Sequence, residues 1–198
     1  MKPILFNTEM VRAIQDGRKT MTRRLIKPQP QSPVVNYLGT WQETQPCANG
    51  IRVFPPPYKP GDILYVRETW SHPSSTEIAN GADPQKYLYA ADELQPCAWD
   101  KWRPSIHMPK EAAQIFLRVK SVRVQQLRDM VLADVLMEGI KEGGSYEETW
   151  DKWHKTWDST VPKHPNKFKS YPYYWKDNPW VWVISFERCE KPEEVSGC

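Results

Sequence analysis

Apolar and polar positions alternate in short stretches along this chain, and each stretch predicts an element of modest length. Ile4-Leu5-Phe6 is an apolar run of strand type; Asn7 or Thr8 can then cap a helix whose Met10, Val11 and Ile14 share one face. Gly17 stands where a glycine stops such a helix. Next, Thr20, Thr22 and Arg24 alternate with Met21, Arg23 and Leu25, a period of two that predicts a strand and leaves Lys19 at the corner between helix and strand. Lys59-Pro60-Gly61-Asp62 signals a turn, and Ile63-Leu64-Tyr65-Val66 follows as a central strand ending at Arg67-Glu68.

In the second half, Ile115, Leu117 and Val119 alternate with Phe116, Arg118 and Lys120, and Val122 and Val124 resume the pattern beyond Ser121, giving one long strand or a hairpin. Asp129 can cap a helix through Val131, Leu132, Val135 and Leu136 that Gly139 ends, which puts Glu138 at a helix terminus. Ser145 and Glu148 have capping-box spacing ahead of Trp150, Trp153 and Trp157, an indole stripe at helical intervals that reads as core. Trp180, Trp182, Ile184 and Phe186 alternate with Val181, Val183 and Ser185, apolar on both faces as in a central strand. Prolines make regular structure sparse across 27–60, and 71–113, with a strand at Tyr87-Leu88-Tyr89, reads as an insertion covering the core. Several short strands with three helices predict an α+β or barrel-like mixed domain over 1–190, followed by a disordered tail over 191–198.

Composition narrows the functional classes. The 198 residues carry a net charge of +3, yet residues 1–30 hold seven basic and two acidic side chains, so the remainder is slightly negative. That distribution excludes a surface coated in positive charge for wrapping duplex DNA and leaves room for one small basic site. Apolar content of 39% excludes wholesale disorder, while ten Trp and 19 Pro against nine Gly imply aromatic packing threaded by rigid loops. No apolar run is long enough for a membrane span, the N-terminus lacks the apolar core of a signal peptide, and the four cysteines are scattered, so a cytoplasmic protein with free thiols and no membrane partner is expected. His72, His107, His154 and His164 lack ligand spacing, so neither a metal nor another cofactor is expected.

The densest chemistry is Gly17-Arg18-Lys19-Thr20-Met21-Thr22-Arg23-Arg24. Its spacing resembles the G-x-K-x-x-[ET]-x-R signature of the ASCH superfamily. Pro60 to Trp70, Trp102 to Pro109 and Asn178 to Val183 look like blocks of the longer ASCH proteins of phages and prophages. The resemblance implies a small PUA-like β-barrel with flanking helices and long Pro- and Trp-rich insertions. It also implies an amidohydrolase that removes the acyl group from N4-acylated cytosine nucleosides, such as N4-acetylcytidine, with Lys19, Thr22 and Glu138 as its catalytic residues.

The residues suit that chemistry. A threonine hydroxyl attacks only when a base takes its proton, and a lysine serves as that base if burial or nearby cations, here Arg18, Arg23 and Arg24, lower its pKa. Arg24 or backbone N–H groups can hold the oxyanion, and Glu138 can protonate the departing amine. An ionised Glu138 beside Lys19 works against the base role unless the pair shares a proton. Arg67, Glu68 and Trp70 end a strand where side chains enter a pocket mouth, with Trp102, Arg103, Ser105 and His107 facing it as substrate contacts; alternatively, Arg67 and Glu68 form a structural ion pair and the indoles are core. The expected partner is a nucleoside or modified base. The alternative is a noncatalytic module that binds RNA, single-stranded nucleic acid or a modified base.

Overall fold

The computed structural model describes residues 1–48, 50–73, 75–81, 83, 87–92, 101–161 and 173–192. His164, Cys97, Cys198 and most of the predicted tail lie outside them. In chain order the elements are β1 (Lys2–Leu5), α1 (Thr8–Gln15), β2 (Met21–Leu25), β3 (Val34–Tyr37), β4 (Thr40–Glu43), β5 (Ile63–Arg67), β6 (Trp70–Ser71), α2 (Ser75–Ala79), β7 (Leu88–Tyr89), β8 (Phe116–Gln126), α3 (Leu132–Met137), α4 (Tyr146–Thr160) and β9 (Trp180–Cys189). The protein is α+β. Five strands are hydrogen-bonded in the order β1-β5-β8-β9-β2, a mixed sheet that, among the described residues, stays open, with β1 and β2 as its edges. No helix among the described residues is long and apolar enough to cross a membrane.

Contacts divide the chain into two compact units, the first formed by 1–17, 61–118 and 187–198, the second by 18–60 and 119–186. In the first unit β1 runs parallel to β5, with Ile4 opposite Val66, and β5 runs antiparallel to the start of β8, with Leu64 opposite Leu117. Asn7 caps α1 by accepting from Met10 N–H at 2.8 Å, and Gly17 follows the helix at φ +75°, a left-handed conformation that favours glycine. A core cluster gathers Trp70, Met108, Ala112, Ala113 and Phe116.

The second unit pairs β2 antiparallel to β9, with Thr22 opposite Ile184, Arg23 opposite Val183 and Arg24 opposite Trp182. Alternation therefore gives this ribbon two faces. Met21, Leu25, Val181 and Val183 pack with Val135 of α3 and with Trp153 and Trp157 of α4, so the indole stripe is core. Thr22, Arg24, Ile184 and Trp182 line the opposite face.

Three local expectations need correction. Residues 27–60 hold a β3–β4 hairpin, in which Leu38 (φ +48°) and Gly39 (φ +84°) make a two-residue turn whose left-handed pair matches strand twist, and Asn36 Oδ1 accepts from Gly39 N–H at 2.8 Å. Its buried Glu43 accepts a fork from Arg52 at 2.6 and 2.9 Å, and that guanidinium holds the carboxyl down at about 2. Asp129 does not cap α3: it closes the preceding 3-10 turn by accepting from Gln126 N–H at 3.2 Å, while Asp134 accepts from Val131 N–H at 3.3 Å to open the helix. Helices among the described residues number four, because α2 adds a short one inside the 71–113 insertion. Of the two readings of 115–124, the single long strand holds, as β8.

Candidate functional site

Backbone hydrogen bonds join the basic block to the end of α3. Thr20 N–H donates to Met137 O at 2.9 Å, Lys19 and Glu138 form an antiparallel bridge, and Arg18 Nη1 donates to Gly139 O at 2.6 Å. Glu138 caps α3, donating its N–H to Asp134 O at 2.9 Å, and Gly139 turns the chain away at φ +89°. The Glu-Gly helix end and the G-R-K-T block, 119 residues apart from Lys19 to Glu138, thus share one short ladder.

Side chains complete a buried charge cluster. Lys19 Nζ donates to three oxygens: Glu138 Oε2 at 2.7 Å, Glu138 O at 2.9 Å and Met21 O at 2.9 Å. Arg23 spans both α3 carboxylates, reaching Glu138 Oε1 at 3.1 Å and Asp134 Oδ2 at 2.8 Å. The Lys19 and Arg23 side chains are 0% exposed and that of Glu138 2%, so both charges of each pair are withdrawn from water. Burial pulls the Lys19 ammonium below its ordinary value; Glu138 opposes that shift, and the Arg24 and Arg23 guanidiniums add to it. Arg24 lies on the other face of β2, donates Nη1 to Arg23 O at 3.3 Å and is itself lowered by burial.

Thr22 completes the predicted triad by position only. Its hydroxyl is buried and, among the described residues, hydrogen-bonds to nothing, so it touches neither Lys19 nor Glu138 through such a bond. Lys19 holds the carbonyl of the peptide leading into Thr22, while alternation along β2 puts the Thr22 side chain on the face opposite Met21 and Arg23. Asp134 went unread in the sequence. Its signal was the Asp134/Glu138 spacing of four, which puts both carboxylates on one helix face, ready for the two nitrogens of one guanidinium.

Of the predicted substrate contacts, Arg24 belongs to the second unit, whereas Arg67, Glu68, Trp70, Trp102, Ser105 and His107 belong to the first. Arg67 donates to Ile106 O, not to Glu68, so the alternative ion pair is not formed. Glu68 is 1% exposed; Gln114 Nε2 donates to its Oε1 at 3.1 Å, its Oε2 has no partner among the described residues, and burial raises the carboxyl to about 7. Trp70 is buried, bridged to Arg103 through both backbone groups, with the Arg103 guanidinium 5.1 Å from its ring centroid and His72 and Tyr87 against its edges. Trp102 is half-buried, and Ser105 opens a 3-10 turn that ends at the exposed His107.

Among the described residues no group of three His, Cys, Asp or Glu is placed to hold a metal ion. Set against known proteins, the chain matches no family model, no curated protein and no solved structure.

Proposed function

We propose that this protein is an amidohydrolase of the ASCH type that removes the acyl group from N4-acylated cytosine nucleosides. The observation that carries the reading is a buried lysine–glutamate pair whose ammonium holds the carbonyl of the peptide preceding Thr22, a residue whose buried hydroxyl has no hydrogen-bond partner among the described residues. A fully buried ion pair is a costly way to hold a fold together, and apolar residues of the same volume do that work as well or better. An unpaired buried hydroxyl also costs free energy. Both costs make sense where the groups serve a reaction. The small β-barrel of that superfamily is the fold that accompanies this reading.

In the proposed reaction Lys19 lets go of the Met21 carbonyl and passes its proton to Glu138, leaving a neutral amine and a carboxylic acid. The amine takes the proton from Thr22 Oγ1 as that oxygen bonds to the acyl carbon. Arg24, on the same strand face as Thr22, holds the oxyanion. The C–N4 bond then breaks, Glu138 gives its proton to the leaving amine, and the products are cytidine, acyl-Thr22, a lysine ammonium and a glutamate carboxylate. Water, losing its proton to Glu138, attacks the acyl-Thr22 ester; Lys19 returns a proton to Thr22 Oγ1, and Glu138 in turn reprotonates Lys19 once the acid has left as its carboxylate with the remaining proton going to solvent. Arg23 holds the Glu138 carboxyl in place for these transfers through its 3.1 Å contact with Oε1.

Incubation with N4-acetylcytidine tests this directly. Cytidine forms, and Lys19→Ala abolishes its formation; absence of turnover over a range of acyl groups at high enzyme concentration overturns the reading. A second reading, a noncatalytic module for single-stranded nucleic acid or a modified base, is favoured by the three acceptors that hold the Lys19 ammonium in its resting state. It requires salt-dependent oligonucleotide binding that Arg24→Ala weakens.

A further inference from the structure

The second unit contains a cavity of about 380 Å³ that the reaction above does not use. Its walls include Lys27 and Pro28 just past β2, Arg52, Phe54 and Pro55 beyond the hairpin, and Trp182 of β9. Register ties this cavity to the reacting group. Trp182 stands opposite Arg24 and Ile184 opposite Thr22, so the Trp182 wall and the Thr22 hydroxyl share one sheet face two residues apart, about 7 Å along the strand. Lys27 is five residues beyond Thr22, about 17 Å along an extended chain, and lines the same cavity as Trp182. An acyl carbon at Thr22 therefore directs the rest of an acylated nucleoside toward Trp182, and its far end toward Lys27.

The lining has one sign of charge. Among the described residues two cations line it and no carboxylate does. Arg52 commits Nε and Nη2 to Glu43, whereas Lys27 forms no ion pair among the described residues and faces the Tyr173 ring, 5.5 Å from its centroid. Pro28 and Pro55, with the small exposed parts of the largely buried Phe54 and Trp182, give the cavity an apolar side. The volume exceeds what a bare anion needs and falls in the range of small-ligand sites.

Resting on the deacylase reading, we propose that this cavity is the subsite for the phosphate-bearing sugar of the substrate, so that the substrate class is an N4-acylcytidine phosphate and not the free base or nucleoside. Lys27 meets the phosphate, and Phe54, Pro55 and Trp182 flank the sugar. The phosphate comes either from a free nucleotide or from a position within a strand.

Binding is measured by calorimetry, separately from turnover, with cytidine, cytidine 5′-monophosphate and a short cytidine-containing oligoribonucleotide as probes. Wild-type protein binds the monophosphate at least tenfold tighter than cytidine, and Lys27→Gln removes most of that ratio while leaving cytidine binding unchanged. Tighter binding of the oligoribonucleotide than of the monophosphate, with the same Lys27 dependence, supports the subsite and assigns its phosphate to a strand. Equal affinity for cytidine and its monophosphate, or a ratio that Lys27→Gln leaves intact, overturns it. Failure of the reaction has a different signature: phosphate-dependent binding persists while N4-acetylcytidine and its monophosphate both go unhydrolysed. Success of the reaction with no advantage for the phosphate in either KM or binding removes the subsite alone.

Discussion

Glu138 in the second unit and Glu68 in the first are both buried glutamates, yet their surroundings differ in kind. Each Glu138 oxygen meets a cation, Lys19 at 2.7 Å and Arg23 at 3.1 Å. Glu68 has one neutral amide, Gln114 at 3.1 Å, and its backbone N–H donates to Sδ of the buried Met108 at 3.2 Å. The first setting keeps charge in the interior by matching it. The second raises the carboxyl to about 7, so the proton itself does the neutralising. Around Glu68 the buried Arg67 Nε, Trp70 Nε1 and His72 Nδ1 also have no hydrogen-bond partner among the described residues. Burial alone thus says little about a carboxyl's role; its partners decide whether it stores charge or a proton.

The largest effect that separates the two regions is on Glu138. Glu138→Ala leaves Lys19 buried without a carboxylate and Arg23 with Asp134 alone, and the expected loss is about 3–5 kcal/mol of unfolding free energy in a denaturant titration. Pairing Glu138→Leu with Lys19→Met recovers most of that loss while abolishing turnover. A double variant as unstable as the single one contradicts the view that the pair is kept for chemistry. Glu68→Gln works in the opposite sense. Burial lifts Glu68 from 4.5 to about 7, so in that window the folded protein holds a proton that the unfolded chain has released. Stability therefore falls as pH rises from about 4.5 to 7 and levels off above. The variant removes this slope and is more stable than wild type at pH 8, by about 3 kcal/mol at most; parallel pH profiles for the two proteins contradict the assignment.

Residue patterns forecast some of this and not the rest, for physical reasons. Helix α1, its Asn7 cap, its Gly17 stop and strand β2 were legible because period and punctuation are local properties. Lys19 at a corner and Glu138 at a helix end were legible for the same reason, and the structure joins them. The β3–β4 hairpin was not, because its turn puts Leu38, an unfavoured residue, at φ +48°, and prolines on both sides masked a four-residue alternation. Asp129 misled because Asp is as good at closing a 3-10 turn as at capping a helix. Nor can sequence tell a buried indole such as Trp70 from an exposed one that stacks on ligand, since both need only an aromatic residue near a strand end.

A smaller effect sharpens the Glu68 side of the contrast. The Gln114 amide favours the ionised carboxylate, so Gln114→Ala costs about 1 kcal/mol above pH 7 and moves the upper end of the pH window higher. Unfolding curves at pH 5 and pH 8 check it: a loss of equal size at both pH values contradicts the account.

The smallest change in stability carries the most weight for function. Thr22→Val keeps the shape of the side chain and removes a buried hydroxyl that has no hydrogen-bond partner among the described residues, so unfolding free energy stays level or rises by up to about 1 kcal/mol. Cytidine release from N4-acetylcytidine by that variant, assayed beside wild type, tests the central claim. Turnover by wild type and its loss in a Thr22→Val protein of full stability is the predicted result; turnover by the variant at the wild-type rate contradicts a threonine nucleophile.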